Sequence, residues 1–411
     1  MEGHAMSRQK LQDRLKMRKV EPKHGDQFND LLRYVFQVTN LDLQTFGWEN
    51  REIAQAKLPV LKEADVLGWF DGDKLISQLA VYPFQVNIFG EIYDMGGLTG
   101  VGTYPEYANL GLMSQLMRQA LANMREREQS ISYLYPYSIP FYRRKGWEII
   151  SDKISFEVKD TQLPKLKTVP GNVERLTIEH PDIRDVYRRF ALAHHGAMLR
   201  SDLAWEEYLR WDLDDLTVAV YYDEDQRPQG YLLYWIAEEV FHMKEMVFID
   251  GEARAGLWNF ISAHFSMITR VKGHIYTTEP LAFLLEDSDI KETISPYYMA
   301  RIVDIQRFVK HYPFLPQAAE CQLTFTLHDP ILDWNQGKFT LRVDEQGRGQ
   351  LTEGGGSPAA AFDIQTLTTM LMGYKRPAYL ARAGRFQALR ATIEQLEKLI
   401  DRQTPYFSDY F

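Results

Sequence analysis

The chain has 411 residues, 45% hydrophobic and 25% charged; this excludes a disordered or fibrous protein and leaves room for two or three domains, each with its own core. The net charge of −9, with acids and bases mixed along the length, excludes general nucleic-acid binding, which needs a basic footprint, and suits a cationic substrate drawn to acidic clefts. A single cysteine, Cys321, excludes an intramolecular disulfide; with no apolar run of spanning length and no signal-peptide core, the expected setting is the cytoplasm, away from membranes.

Residues 1–6 are set aside from fold reasoning. From about 15 to 159, strands alternate with helices. Residues 66–70 lead through Asp71-Gly72-Asp73, a hairpin signal, into a strand over 75–82. Residues 87–93 repeat the device around Gly90, and a further strand ends near Thr103. Leu112, Leu116, Met117, Ala120, Leu121 and Met124 then share one face of an amphipathic helix. Residues 131–135 form the next strand, stopped by Pro136. A short helix over 141–145 follows, with Pro140 near its start, basic residues in its last turn and Gly146 as its cap. A strand resumes at 147–150. Antiparallel hairpins followed by strand–helix–strand indicate a mixed α/β sheet.

A Pro-containing linker spans 163–171. A second α/β unit runs to about 294, with strands at 217–222, 230–236 and 241–249. Ala253-Arg254-Ala255-Gly256-Leu257 echoes Ala108-Asn109-Leu110-Gly111-Leu112 at three of five positions, and both follow a strand and open a helix, as a diverged duplication or chance would give. From about 301 the character changes. Strands at 321–327 and 338–343 precede a glycine-rich loop at 353–358 and two amphipathic helices carrying Leu367 and Leu371, then Ile393 and Leu396.

The most informative segment is 101–113. A β-rich stretch stops at Pro105, turns, and enters a helix whose first turn contains Gly111. Such a helix start offers unpaired N–H groups and the positive end of its dipole to an anion, and Gly111 lets a phosphate approach the backbone. Other chemistries are set aside. There is no G-x-S-x-G elbow, residues 97–102 lack the spacing of a dinucleotide fingerprint, and the adjacent His194 and His195 diverge on a helix instead of sharing a metal.

This strand–turn–helix resembles the acetyl-CoA motif of the GNAT acetyltransferases, and Phe141-Tyr142-Arg143-Arg144-Lys145-Gly146-Trp147 resembles the Tyr-x-Arg-x-Gly-aromatic segment of the Eis-type (enhanced intracellular survival) N-acetyltransferases. The resemblance covers nearly the whole chain. It implies tandem GNAT-like α/β domains with mixed α+β sheets over 7–160 and, in degenerate form, 161–300, then a sterol-carrier-protein-like α+β domain over 301–411. It also implies a homohexamer. Val101, Gly102 and Thr103 would pair with the pantetheine arm of acetyl-CoA, and Asn109, Leu110, Gly111, Leu112, Met113 and Ser114 would cradle the pyrophosphate. Tyr137 and Ser138 would also touch the cofactor; no metal is implied. Two positions depart from the pattern: Ala108 stands where Gln or Arg is usual, and Met113 where Gly or Ala is usual.

By the same resemblance Tyr142 is the general acid. A phenol of pKa about 10 can protonate a departing thiolate whose thiol has a pKa of about 8.5. The carboxylate of Phe411 is the base; at a pKa of about 3.5 it needs desolvation, or a relaying water, to act on the amine. The aromatic residues Tyr406, Phe407, Tyr410 and Phe411 suggest a docked chain end, and Asp409 would draw a cationic acceptor. The expected reaction is acetylation of primary amines, on aminoglycoside-like or polyamine molecules or on lysine side chains, in a ternary complex. The contrasting expectation is a binding protein with a vestigial transfer site and an apolar ligand in its last domain.

Overall fold

The runs of alternating apolar and polar residues become strands, and each strand finds its partners through the short turns between them. The computed structural model describes residues 12–39, 58–210, 216–276 and 280–411. In chain order the first third gives β1 (Leu15–Lys19), α1 (Gly25–Phe36), α2 (Leu58–Glu63), β2 (Asp65–Asp71), β3 (Lys74–Ile88), β4 (Glu91–Thr103), α3 (Leu112–Glu126), β5 (Ile131–Leu134), α4 (Ile139–Arg143), β6 (Glu148–Ile149) and β7 (Asp152–Lys159). The middle gives β8 (Asn172–Leu176), α5 (Pro181–Ala193), β9 (Met198–Leu199), α6 (Asp202–Leu209), β10 (Thr217–Tyr222), β11 (Pro228–Ala237), β12 (Val240–Phe248), α7 (Gly251–Ser262), β13 (Arg270–Ile275), β14 (Lys291–Pro296) and β15 (Met299–Ile302). The last part gives α8 (Ile305–His311), β16 (Cys321–His328), β17 (Gly337–Val343), β18 (Gly349–Glu353), β19 (Ala360–Asp363), α9 (Ile364–Leu371), α10 (Pro377–Arg382) and α11 (Arg390–Leu399).

Three sheets result, with orders β1-β2-β3-β4-β5-β15-β6, β14-β7-β13-β12-β11-β10-β8 and β18-β17-β16-β19; β9 adds to β3 in the first. Two strands cross the expected limits at 160 and 300. β7 pairs with β13 and β14 in the second sheet, and β15 inserts between β5 and β6 in the first. The first two units therefore exchange a strand each.

β3 is one strand where two were expected, because it runs through Pro83. β2 pairs with β3 up to Val81, and β9 pairs at Gln85 and Val86. The missing N–H of Pro83 falls in the gap between them, where no ladder bond is lost. The echo at 253–257 also dissolves. These residues lie inside α7, with Gly256 packed on the Tyr221 ring, whereas 108–111 form the turn before α3.

The chain end crosses the junction of all three parts as an extended strap. Tyr406 N–H bonds the carbonyl of His195 at 2.8 Å, while His195 accepts from Phe89 N–H at 3.1 Å and lies 2.8 Å from the Met372 carbonyl through its other ring nitrogen. Burial pushes the His195 pKa down to about 4, so the ring bridges these groups as a neutral imidazole.

The strap's main anchor is Arg200, whose side chain is fully buried. Its guanidinium grips Glu245 with two bonds (2.7 and 3.0 Å) and Asp409 with one (2.6 Å), and stacks over the rings of Tyr187 and Tyr208, each 3.8 Å away. Tyr187 donates to Asp409, and Tyr231 and Ser408 donate to Glu245. Deleting one member of such a cluster strands buried charge. Arg200→Met should therefore cost about 3–5 kcal/mol, read as a lower urea midpoint, and should make the strap sensitive to carboxypeptidase.

Candidate functional site

β4 and β5 pair in parallel at Met95–Ile131, Gly96–Ser132 and Gly97–Tyr133, and then part. The cause lies on the other side of β4. Its register with β3 places Gly102 opposite Gln78 but Thr99 opposite Ala80, so Gly100 and Val101 together face Leu79. Gly100 takes φ 62°, as such a bulge requires, and the bulge bends β4. Val101, Gly102 and Thr103 follow it and lie beyond the last β5 pair, so their β5-facing edge is left without a strand. This is the edge that an extended ligand can join.

The two faces of the split differ. A side chain at Gly96 would meet Met124 of α3, while one at Gly97 would meet the Phe411 ring. α3 thus covers one face and the strap the other, as alternation along a strand demands.

On the α3 face, Pro105 opens a single 3₁₀ turn to Tyr107, and Asn109 and Gly111 both adopt left-handed φ (62° and 76°) before α3 begins at Leu112. Leu110 and Leu112 are buried with Leu15 and Ile76, which pins the turn. Asn109, Gly111 and Ser114 stay exposed. The N–H groups of Leu112, Met113 and Ser114 have no intrahelical acceptor, and a Cβ on Gly111 would approach only Gln115, at 4.0 Å. The residues present therefore fit a bulky phosphate. Lys145 reaches this helix start and bonds Ser114 Oγ at 2.6 Å; burial, then the neighbouring Arg144, lowers its pKa. It places a positive group beside the helix start, where Ala108 supplies none. Arg143 is turned away to Glu148, at 2.8 Å.

Tyr142 projects from α4 into the cluster of Trp147, Leu116 and Leu134, its ring edge-on to Phe141 and Trp147. Burial pushes its pKa up to about 12, and among the described residues nothing hydrogen-bonds its hydroxyl. It is a protonated phenol with its donor uncommitted. Ser138 precedes α4, its carbonyl accepting from the N–H groups of Phe141 and Tyr142, while Tyr137 is 81% exposed.

On the opposite face Phe411 packs against Phe84, Tyr82, Tyr298 and Phe407, and its N–H donates to Tyr298 Oη at 3.1 Å. The expectation for Asp409 is corrected. Its carboxylate is buried on Arg200 and Tyr187 and cannot meet an acceptor. Burial raises its pKa, with Arg200 opposing and Glu245 adding. Tyr133 was missed from sequence. It sits on the last rung before the split with a buried hydroxyl that has no partner among the described residues, and no motif marks one tyrosine among 23.

The second sheet repeats the parting, at Met243–Gly273 between β12 and β13. Its helix start is closed to anions, however, because the Asp250 carboxylate already caps α7 by accepting from Ala253 N–H at 2.8 Å. The other face of this sheet borders a cavity of about 620 Å³ that reaches Tyr135 and Tyr410. The third unit holds a small cavity of about 20 Å³ among Phe325, Leu341, Phe362 and Leu396, room for a water but not for an apolar ligand.

Comparison with known proteins agrees with this layout. Models of acetyltransferase (GNAT) domains match residues 16–150 and 196–302, and a sterol carrier protein domain model matches 305–408. The structure of a probable N-acyltransferase from Enterococcus faecalis is 28% identical, covering 97% of this chain and 99% of its own, with a TM-score of 0.88. Eis1 from Mycobacterium abscessus shares the fold at 17% identity and a TM-score of 0.80, over 96% of this chain and 100% of its own. An N-acetyltransferase of Streptomyces avermitilis is 22% identical over 369 residues, 83% of this chain and 87% of its own.

If Lys145 supplies phosphate-binding charge, Lys145→Ala should weaken acetyl-CoA binding roughly fivefold by calorimetry, the worth of about 1 kcal/mol for a partly exposed pair. The raised Tyr142 pKa has a kinetic signature. Its neutral, proton-bearing form persists up to about pH 12, so kcat should show no alkaline loss through this group between pH 7 and 10.

Proposed function

We propose that this chain, which carries two GNAT acetyltransferase domains and a sterol carrier protein domain, is an Eis-type N-acetyltransferase that takes acetyl-CoA as co-substrate and transfers the acetyl group directly to a primary amine bound on the strap side of the β4/β5 split. The observation that carries this reading is the parting of the two strands between an anion cradle on one face and the chain end on the other. Acetyl-CoA supplies an activated thioester. Val101, Gly102 and Thr103 offer main-chain groups to its extended arm, and the turn from Asn109 to Ser114 receives the pyrophosphate with Lys145 beside it. Tyr137 and Ser138 stand at the exit of β5, where they line the arm.

Tyr142 keeps its proton at neutral pH and donates it from Oη to the leaving sulfur. The Phe411 ring packs on Tyr82, Phe84 and Tyr298 and so docks the last residue, whose carboxylate orients the amine and accepts its proton directly or through a water. No nucleophilic side chain is required, so a ternary complex suffices. The cationic acceptor first expected loses two supports, since Asp409 is neutralised by Arg200 and the adjoining cavity is rich in lysine. A cytoplasmic homohexamer belongs to the same reading.

Tyr142→Phe should lower kcat by about 10²–10⁴-fold, with the KM for acetyl-CoA within twofold, measured as CoA thiol released across an amine panel that includes a lysine peptide. Removal of Phe411 should do the same while the protein still binds acetyl-CoA. Full turnover by either variant would overturn the corresponding assignment.

A further inference from the structure

The cavity beside the strap has a lining that register makes explicit. Trp235 pairs with His242, His242 with Lys272, Lys272 with Glu157, and Glu157 with Lys291. These side chains cross β11, β12, β13, β7 and β14 in one row on one face of the second sheet. The neighbouring row holds His274, Ser155 and Thr293, and Lys153 follows two residues before Ser155 on the same face of β7.

Among the described lining residues, Lys153, Lys244, Lys272 and Lys291 face a single carboxylate, Glu157. That carboxylate is already shared by Lys272 at 3.3 Å and Arg270 at 3.7 Å. Neither Lys153 nor Lys291 pairs with a carboxylate among the described residues. Lys153 instead lies 5.4 Å from the centre of the Tyr297 ring. Burial, then the charges of Lys153 and Lys244, push the His274 pKa down to about 4, as expected where positive charge is concentrated. Like charges are costly to gather in a half-enclosed space, and such a space focuses anions. A cavity of about 620 Å³ is also of small-molecule size.

The opposite wall is made by Tyr135, at the end of β5 beside the split, and by Ser408 and Tyr410 of the strap. A molecule with its anionic end on the lysines would extend past Tyr410 toward Phe411. We propose that this cavity holds the acetyl acceptor, and that the acceptor is a small amine carrying a phosphate or carboxylate group, bound by Lys153, Lys272 and Lys291. The acceptor role rests on the acetyl-transfer reading; the preference for an anion rests on the cavity alone.

The test separates the two. Pyrophosphate is titrated by calorimetry into protein saturated with CoA, so that the cradle at Gly111 is filled. It should bind, and the double variant Lys153→Gln/Lys291→Gln should raise its Kd at least tenfold with the melting temperature and CoA affinity unchanged. In turnover, O-phosphoethanolamine should exceed ethanolamine in kcat/KM by tenfold or more, and the double variant should bring that ratio close to one. Equal pyrophosphate binding by both proteins, or a preference for ethanolamine or spermine over phosphoethanolamine, overturns the proposal. Variant-sensitive pyrophosphate binding without acetylation of any amine upholds the anion site and refutes its role as the acceptor site.

Discussion

Arg200 is the constraint on which the rest depends. It enters the junction from the segment after β9 and carries one positive charge between two buried carboxylates. One of these, Glu245, belongs to β12 of the second sheet; the other, Asp409, belongs to the strap. Burial works to raise the Glu245 pKa, but the charge and hydrogen bonds of Arg200 outweigh it and hold it below the ordinary value, whereas Asp409 is left raised. The cluster is satisfied only when both partners are in place, with the phenols of Tyr187 and Tyr231 supplying further donors. The second unit therefore fixes the position of the strap, although its own helix start is capped by Asp250.

The transfer site is likewise built from a local defect. One extra residue in β4, made possible at Gly100, parts two strands that would otherwise continue as a ladder. The opening has a wet, positively polarised side at the start of α3 and an aromatic side under the strap. A phosphate-bearing donor and an amine can thus approach the same gap from opposite faces. Burial raises the Tyr142 pKa, which keeps the phenol protonated at neutral pH while making it a weaker acid than a free tyrosine.

Much of this was legible in the residues. The helix face from Leu112 to Met124 is the buried face of α3, and the turn at Asn109 and Gly111 has the backbone that the glycine implied. The aromatic character of the last residues suggested a docked chain end, and Phe411 does pack, but its place beneath Gly97 was not legible. What escaped was long-range. Nothing local to Asp409 reveals that Arg200, more than two hundred residues earlier, neutralises it. The cationic face of the second sheet is dispersed over β7, β12, β13 and β14, and register alone assembles it. The continuity of β3 through Pro83 escaped because the gap between β2 and β9 is set by partners that the sequence does not order. The short helix α10, opened by Pro377, was absorbed into the region between two longer helices.

The exchange of β7 and β15 has a consequence for the making of the protein. The outer edge of β5 is paired by Met299–Ile302, which leaves the ribosome about 150 residues after α4. At elongation rates of about 5–20 residues per second, that is a delay of roughly 8–30 seconds. During it the first sheet stands with an open, apolar edge, the kind that recruits other chains. Met299–Ile302 closes that edge when it arrives, so a chain cut short before β15 would keep it open.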